Sequence, residues 1–328
     1  MALKVFLTGA TGFVGGDILY SVSRTHPDWE WTCLVRNKDK GAKAADAYPD
    51  VRLVYGDIDD VGLIEEEASK ADIVFHTAAS DDHVPSAEAI VRGLACRQVD
   101  GPGYYIHTSG ALSLASETRV TGRYGDRFDK VYDDWDNVNE LTSHPDHTPH
   151  GMVDKIILAA GSDKTRVAIV APSVIYGVGR GPDNTTSFPL FNAFLKNKKV
   201  FAVGKGDNIW HYVHVRDLSN TANGGSPATW NDEGYYLAEN GSYVTREMLQ
   251  LTAQIAHKKG LLPSPEVVFV TPDEGDKLLP WARIVLGVNS RGIALRARKQ
   301  LVWKPSMPSF EDEIGNSVDI EARLMGLI

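Results

Sequence analysis

Val5-Phe6-Leu7-Thr8-Gly9-Ala10-Thr11-Gly12-Phe13-Val14-Gly15 is the stretch on which the fold turns. Its first four residues are branched or apolar and favour an extended strand. Val14, Ile18, Leu19 and Val22 then recur at the spacing of one helical face. Between strand and helix, Gly9, Gly12 and Gly15 mark a tight turn where backbone must come close to something. Amides that open a helix have no partners and the helix dipole is positive there, so a diphosphate supplies both acceptors and charge. Gly9, Thr11, Gly12, Phe13, Val14 and Gly15 are therefore read as a dinucleotide-binding turn.

The same alternation continues down the chain. Thr32–Val35, Arg52–Tyr55, Ile73–His76, Tyr104–Thr108 and Val167–Val170 are short strand-like runs, separated by helical spacers carrying Ile64 and Ala68, then Ile90, Val91 and Leu94. Strand and helix in strict alternation predict an α/β fold, a doubly wound parallel sheet with helices on both faces. Between Gly110 and Gly151 the pattern lapses into a polar insertion, expected to flank the site. Past Gly177 the elements become mixed: a helix near 188–196, strands near 210–215 and 235–237, a helix opening at Thr245 and closing at Gly260, and a final helix over 291–300. The expected division is a Rossmann domain over 1–176, with its insertion at 110–150, and a smaller α/β substrate domain over 177–328, some of whose strands return to the sheet.

Composition narrows the partners. The 328 residues are 43% hydrophobic and 23% charged, an ordinary globular balance that excludes a disordered chain. With 34 Lys and Arg against 43 Asp and Glu the net charge is −9, which disfavours nucleic acid and anionic membrane surfaces. Two cysteines, Cys33 and Cys96, cannot form a disulfide framework. No leader-like segment and no apolar run of bilayer length is evident, so a soluble cytoplasmic protein is expected, a monomer or homodimer acting on a small molecule.

The second strand should end over the adenosine ribose, where an acidic side chain holds a free 2′-hydroxyl and a basic one accepts a 2′-phosphate. Here the residues are Val35-Arg36-Asn37, with Lys38 and Lys40 close behind, so NADP is favoured over NAD. Asp57 and Ile58, after the third strand, suit the adenine edge, and Asp57 could equally cap the next helix.

Six motifs in order, TGATGFVGG (8–16), GDIDD (56–60), HTAAS (76–80), IHTSG (106–110), APSVIYG (171–177) and YVHVRDL (212–218), give the chain a resemblance to the extended short-chain dehydrogenase/reductase superfamily, the branch of epimerases, dehydratases and reductases. The resemblance spans nearly the whole chain. It implies bound NAD(P), with Thr77, Ala78, Ala79 and Thr108 along the nicotinamide half and Pro172 to Val174 over the ring. It also implies catalysis by a Ser, a Tyr and a Lys four residues after the Tyr.

Ser109 and Lys155 match two of those three positions, and Lys155 would also hold the nicotinamide ribose. Four residues before Lys155 stands Gly151, and no Tyr in the chain has a Lys four residues downstream. Without a positioned proton donor a carbonyl reduction loses roughly 10²–10⁴-fold in rate. His150 and Tyr176 are the first candidates for that role, with Tyr132, His83 and His211 within conceivable reach of flanking loops.

His144, His147 and His150 recur every third residue, but Pro145 and Pro149 preclude the continuous helix that would converge them, and no metal site is assigned. The acidic run at 132–136 reads as solvated surface, as do Arg291, Arg296, Arg298 and Lys299 on the final helix. Three function classes follow: an NADP-dependent oxidoreductase of a small carbonyl or related compound, a redox-neutral epimerase or isomerase on the same scaffold, and a non-catalytic NADP(H)-sensing protein.

Overall fold

Strand-forming residues alternate between two cores, and this alternation builds the central sheet. In the computed structural model, which describes residues 2–80, 82–145, 148–182, 189–223 and 227–328, seven parallel strands run in the spatial order β7-β6-β5-β4-β1-β2-β3. They are β1 (Lys4–Thr8), β2 (Glu30–Val35), β3 (Arg52–Tyr55), β4 (Ile73–His76), β5 (Gly103–Thr108), β6 (Thr165–Pro172) and β7 (Tyr235–Ala238). Phe6, Leu34 and Val74 point to one face, into a core shared with Ile64, Ile90 and Tyr105. Val5, Leu7, Cys33 and Phe75 point to the other, against Ile18, Leu19 and Val22. Period-two side chains thus give each face its own helical layer. Phe6 is fully buried, and truncating such a side chain to Ala costs about 3–5 kcal/mol.

The helices that cover the sheet are α1 (Phe13–Thr25), α2 (Lys38–Ala47), α3 (Val61–Lys70), α4 (Val84–Ala95) and α5 (Gly151–Ala159). α3, α4 and α5 pack side by side on one face, while α1 packs against the short helix Val215–Asn220 on the other. The strand order reverses between β1 and β4, so the carboxyl ends of these two strands diverge into the crevice where α/β sheets bind ligands.

A second core forms around Phe191, Phe194, Phe201, Tyr212, Met248 and Phe310. It holds the helices Pro189–Lys196 and Thr245–Lys258, a parallel pair Val200–Val203 with Val267–Val270, and the strand Ile209–His214 between Val174–Tyr176 and Ser242–Val244. Two expectations need correcting here. The segment 291–300 is not one helix: Gly292–Ile293 pairs with Tyr132–Asp133, and the helix begins only at Leu295. The last helix is Phe310–Leu324, opened by a capping box between Ser309 and Asp312. That Ser-x-x-Asp signal stood in the sequence, hidden behind the Pro-rich approach Lys304-Pro305-Ser306-Met307-Pro308.

The second correction concerns charge. Arg296 is buried, donating its backbone N–H to Asp134 Oδ1 at 2.8 Å and its Nε–H to the Asp134 carbonyl at 2.9 Å. Arg298 donates to Glu239 Oε1 at 2.6 Å. Asp134 also accepts the Leu237 N–H at 2.8 Å, and burial pushes its carboxyl up to about 6. Arg296 and Asp134 therefore belong to an internal brace tying the insertion to β7, rather than to a wet surface. In the sequence both were masked by the charged residues around them.

Candidate functional site

The nucleotide end of the crevice is built by backbone. Gly9 has φ +81°, a conformation that favours glycine. A Cβ on Gly9 would lie 2.5 Å from Thr77 Oγ1, and one on Gly15 would lie 2.3 Å from the Gly9 carbonyl oxygen. Gly12 caps α1 without a side-chain hydrogen bond, and no acidic residue occupies the first turn. The opening amides of α1 thus face the crevice with neither a competing acceptor nor a repelling charge, which suits an anion. An open cleft of about 1020 Å³ runs from Arg36, Lys40, Asp57 and Ile58, past Gly9, Thr11, Gly12, Phe13, Val14 and Gly15, to Thr77, Ala78 and Ala79. Arg36 is exposed and makes no hydrogen bond or ion pair among the described residues. Asp57 Oδ1 accepts the Ile58 N–H at 2.7 Å while the Asp57 N–H donates to Asp60 Oδ2 at 2.7 Å, fixing the loop at the adenine side.

Residues from three separate loops meet at the expected catalytic positions. Ser109 follows β5, its N–H held by the Val170 carbonyl at 2.9 Å, and its Oγ is buried without a hydrogen-bond partner among the described residues. Next to it is Gly110, whose missing side chain makes room for the His150 ring: a Cβ there would lie 2.8 Å from His150 Nε2. His150 caps α5 in a left-handed backbone conformation, φ +67°, and is 6% exposed. Its N–H donates to Asp82 Oδ1 at 2.9 Å, and the same oxygen lies 3.4 Å from His150 Nδ1. The carboxylate is thus hydrogen-bonded to the His150 backbone and lies near the ring without a hydrogen bond to Nδ1. Beneath the pair, His107 is fully buried with its Nδ1 3.2 Å from the Tyr105 hydroxyl. Burial, with His76 and His150 adding to it, holds the His107 imidazole well below its ordinary range.

Asp82 went unnoticed in the sequence. It stands two residues past the HTAAS stretch, and only the return of the chain at 150 gives it a partner.

The remaining candidates take other places. Tyr176 lies in the second core, with its hydroxyl donating to the Pro308 carbonyl at 2.5 Å and its ring against Tyr212, His214 and Phe310. Burial pushes it up to about 12, and the ring packs the junction. Lys155 sits on α5 one turn past Gly151, and its charge is felt at His144, whose imidazole is lowered chiefly by burial and further by Lys130 and Lys155. Thr108 lines a second, mainly apolar cavity of about 790 Å³ that shares Val14 with the cleft. Pro172 ends β6, and Val174 opens the short strand paired with Tyr212. His211 donates Nδ1–H to the Ser290 carbonyl at 2.6 Å, and Tyr132 packs edge-on to His144. His147 lies outside the described residues, among which no cluster of metal-ligating side chains occurs. No helix among them is long and apolar enough to cross a membrane.

Comparison with known proteins agrees with this fold. The NAD(P)H-binding family matches residues 9–109, from the glycine turn to Ser109. A protein described as oxidase ucsJ, from an Acremonium species, is 33% identical over the full length of both chains. The dTDP-glucose 4,6-dehydratase of Mycobacterium tuberculosis is 27% identical over 66% of each chain. Among solved structures, UDP-glucose 4-epimerase from Thermotoga maritima superposes with a TM-score of 0.67 at 15% identity, covering 98% of this chain and 100% of that one. The dTDP-glucose 4,6-dehydratase DesIV from Streptomyces venezuelae, solved with NAD bound, gives 0.67 at 19% identity over 99% of this chain and 98% of its own.

Proposed function

The chain belongs to the extended short-chain dehydrogenase/reductase superfamily, and from that premise we propose that it is an NADP-dependent oxidoreductase of a small carbonyl or related unsaturated compound, with His150 in place of the missing tyrosine. The nicotinamide cofactor would supply or accept hydride. Ser109 Oγ, buried and without a hydrogen-bond partner among the described residues, donates a hydrogen bond to the substrate oxygen. His150 exchanges the proton of that oxygen through Nε2, the ring nitrogen that faces Gly110. Asp82 holds the His150 backbone through its N–H. Arg36 at the end of β2 is free to pair with a 2′-phosphate through its planar fork, which favours NADP. Lys155 is assigned to the nicotinamide ribose on the family pattern.

The observation that carries this reading is the His150 ring lying against Gly110, the residue that follows Ser109, whose buried hydroxyl has no hydrogen-bond partner among the described residues. The test is NADPH oxidation over a panel of small aldehydes, ketones and enones by the wild type, Ser109→Ala and His150→Phe. Consumption that collapses in both variants supports the assignment. Substrate conversion without net change in NADPH absorbance would favour an epimerase-like reaction, and tight cofactor binding with no conversion at all would favour a sensor.

A further inference from the structure

A continuous row of buried polar groups runs from the surface loop beside the adenine subsite to the floor of the cleft. Asp59 Oδ1 lies 3.0 Å from His83 Nε2, His83 Nδ1 lies 2.9 Å from Ser86 Oγ, and Ser86 Oγ lies 2.9 Å from His76 Nε2. His76 Nδ1 then lies 2.7 Å from Thr8 Oγ1. His76, Ser86 and Thr8 are fully buried, whereas Asp59 is largely exposed.

The direction of each bond follows from the groups at its end. Thr8 Oγ1 accepts the N–H of Thr77 at 3.1 Å and of Ala78 at 3.3 Å, so its own proton goes to His76 Nδ1. Burial lowers His76 to about 3, keeping the ring neutral, and its single proton is then on Nε2, donated to Ser86. His83 Nδ1 accepts the Ser86 N–H at 3.3 Å, which puts the His83 proton on Nε2, facing the Asp59 carboxylate. Ser86 Oγ reaches the His83 carbonyl at 3.0 Å as well as His83 Nδ1 at 2.9 Å, so its one proton is shared between these two acceptors, while the bonds from Thr8 to His76 and from His76 to Ser86 each run one way.

Both ends of the row adjoin residues that line the cleft. Asp59 follows Asp57 and Ile58, which line the adenine side, while Thr77 and Ala78 line the other side. The next residue, Ala79, is a non-glycine held at φ +41°, a strained conformation that persists only where its surroundings fix it. We infer that Asp59, His83, Ser86, His76 and Thr8 are positioning residues that lock the Thr77–Ala79 floor, and that they couple this floor to the adenine-side loop. The inference rests on nucleotide binding in the cleft and not on the role of His150.

Ser86→Ala cuts the row at its centre by deleting one buried oxygen. Two ligands that differ only in the nicotinamide ring, NADPH and 2′-phospho-ADP-ribose, are titrated by calorimetry into wild type and variant. The expected result is a split: affinity for 2′-phospho-ADP-ribose within about twofold of wild type, and affinity for NADPH about five- to tenfold weaker, since an unmade buried hydrogen bond frees the floor. Imidazole proton–nitrogen NMR of the wild type should show His76 protonated at Nε2. Asp59→Ala, at an exposed position, should give the same split at about threefold, and it decides the matter if Ser86→Ala does not fold. Equal loss of both ligands, no loss of either, or a His76 proton on Nδ1 overturns the inference alone. A wild-type chain that binds neither ligand overturns it together with the nucleotide reading.

Discussion

The two ends of the cleft are made of different material. At the glycine turn the working atoms are backbone amides, and what matters is the absence of side chains: Gly9 and Gly15 leave no space for a Cβ. At the proposed reactive end the working atoms are side chains of Ser109 and His150, drawn from loops far apart in the chain, with Asp82 accepting the His150 backbone N–H. A backbone-built site tolerates almost no chemical variety, whereas a side-chain-built site can exchange one proton donor for another while the scaffold stays intact. Loss of the tyrosine therefore changes the chemistry available without changing the fold.

The sharpest way to break this contrast is His150→Phe. Turnover should fall by about 10²–10⁴-fold while nucleotide affinity, read by calorimetry, stays at the wild-type value. Undiminished turnover would place the proton donor elsewhere. Gly15→Val probes the opposite end. The overlap with the Gly9 carbonyl should weaken NADPH binding by about a hundredfold, roughly 3 kcal/mol, and lower the melting temperature as well. Wild-type affinity in that variant would remove the cradle from the account. Arg36→Glu refines specificity at the same end: NADPH affinity should drop by about tenfold or more with NADH affinity little changed, and equal affinities for the two in the wild type would remove the preference for NADP.

The smallest expected effect concerns the bed beneath the reactive end. His76 remains neutral in the fold down to about 3, whereas in the unfolded chain it takes up a proton below about 6.5. The unfolded state therefore binds more protons between these values, and stability falls as pH drops through that window. His107 and His211, both lowered by burial, act in the same direction. Melting temperatures at pH 7 and pH 5 should differ accordingly; identical values would mean these rings are not buried neutral.

What could be read from the sequence follows the same division. Strand-helix alternation and the glycine turn are local patterns, each set by residues within a few positions of one another, and the sheet and the cleft formed where those patterns put them. The partnership of Asp82 with His150 spans 68 residues and depends on where the insertion returns to the sheet, which no local pattern encodes. Tyr176 shows the opposite difficulty. An aromatic residue next to a glycine at a strand end suits a site as well as a core, and the packing of Phe310, from an unanticipated helix, puts its ring in a core. Arg296 was misjudged because charge in a basic run suggests solvent, while its partner Asp134 lies 162 positions away.

The fit of the His150 ring against Gly110 has an evolutionary corollary. Even an alanine at 110 would crowd the imidazole, since its methyl would sit 2.8 Å from Nε2 and the ring would have to shift. The two positions are thus coupled: a descendant that regains a side chain at 110 must move or replace the ring at 150. Among cousins of this protein, glycine at one locus and histidine at the other should be inherited together or replaced together.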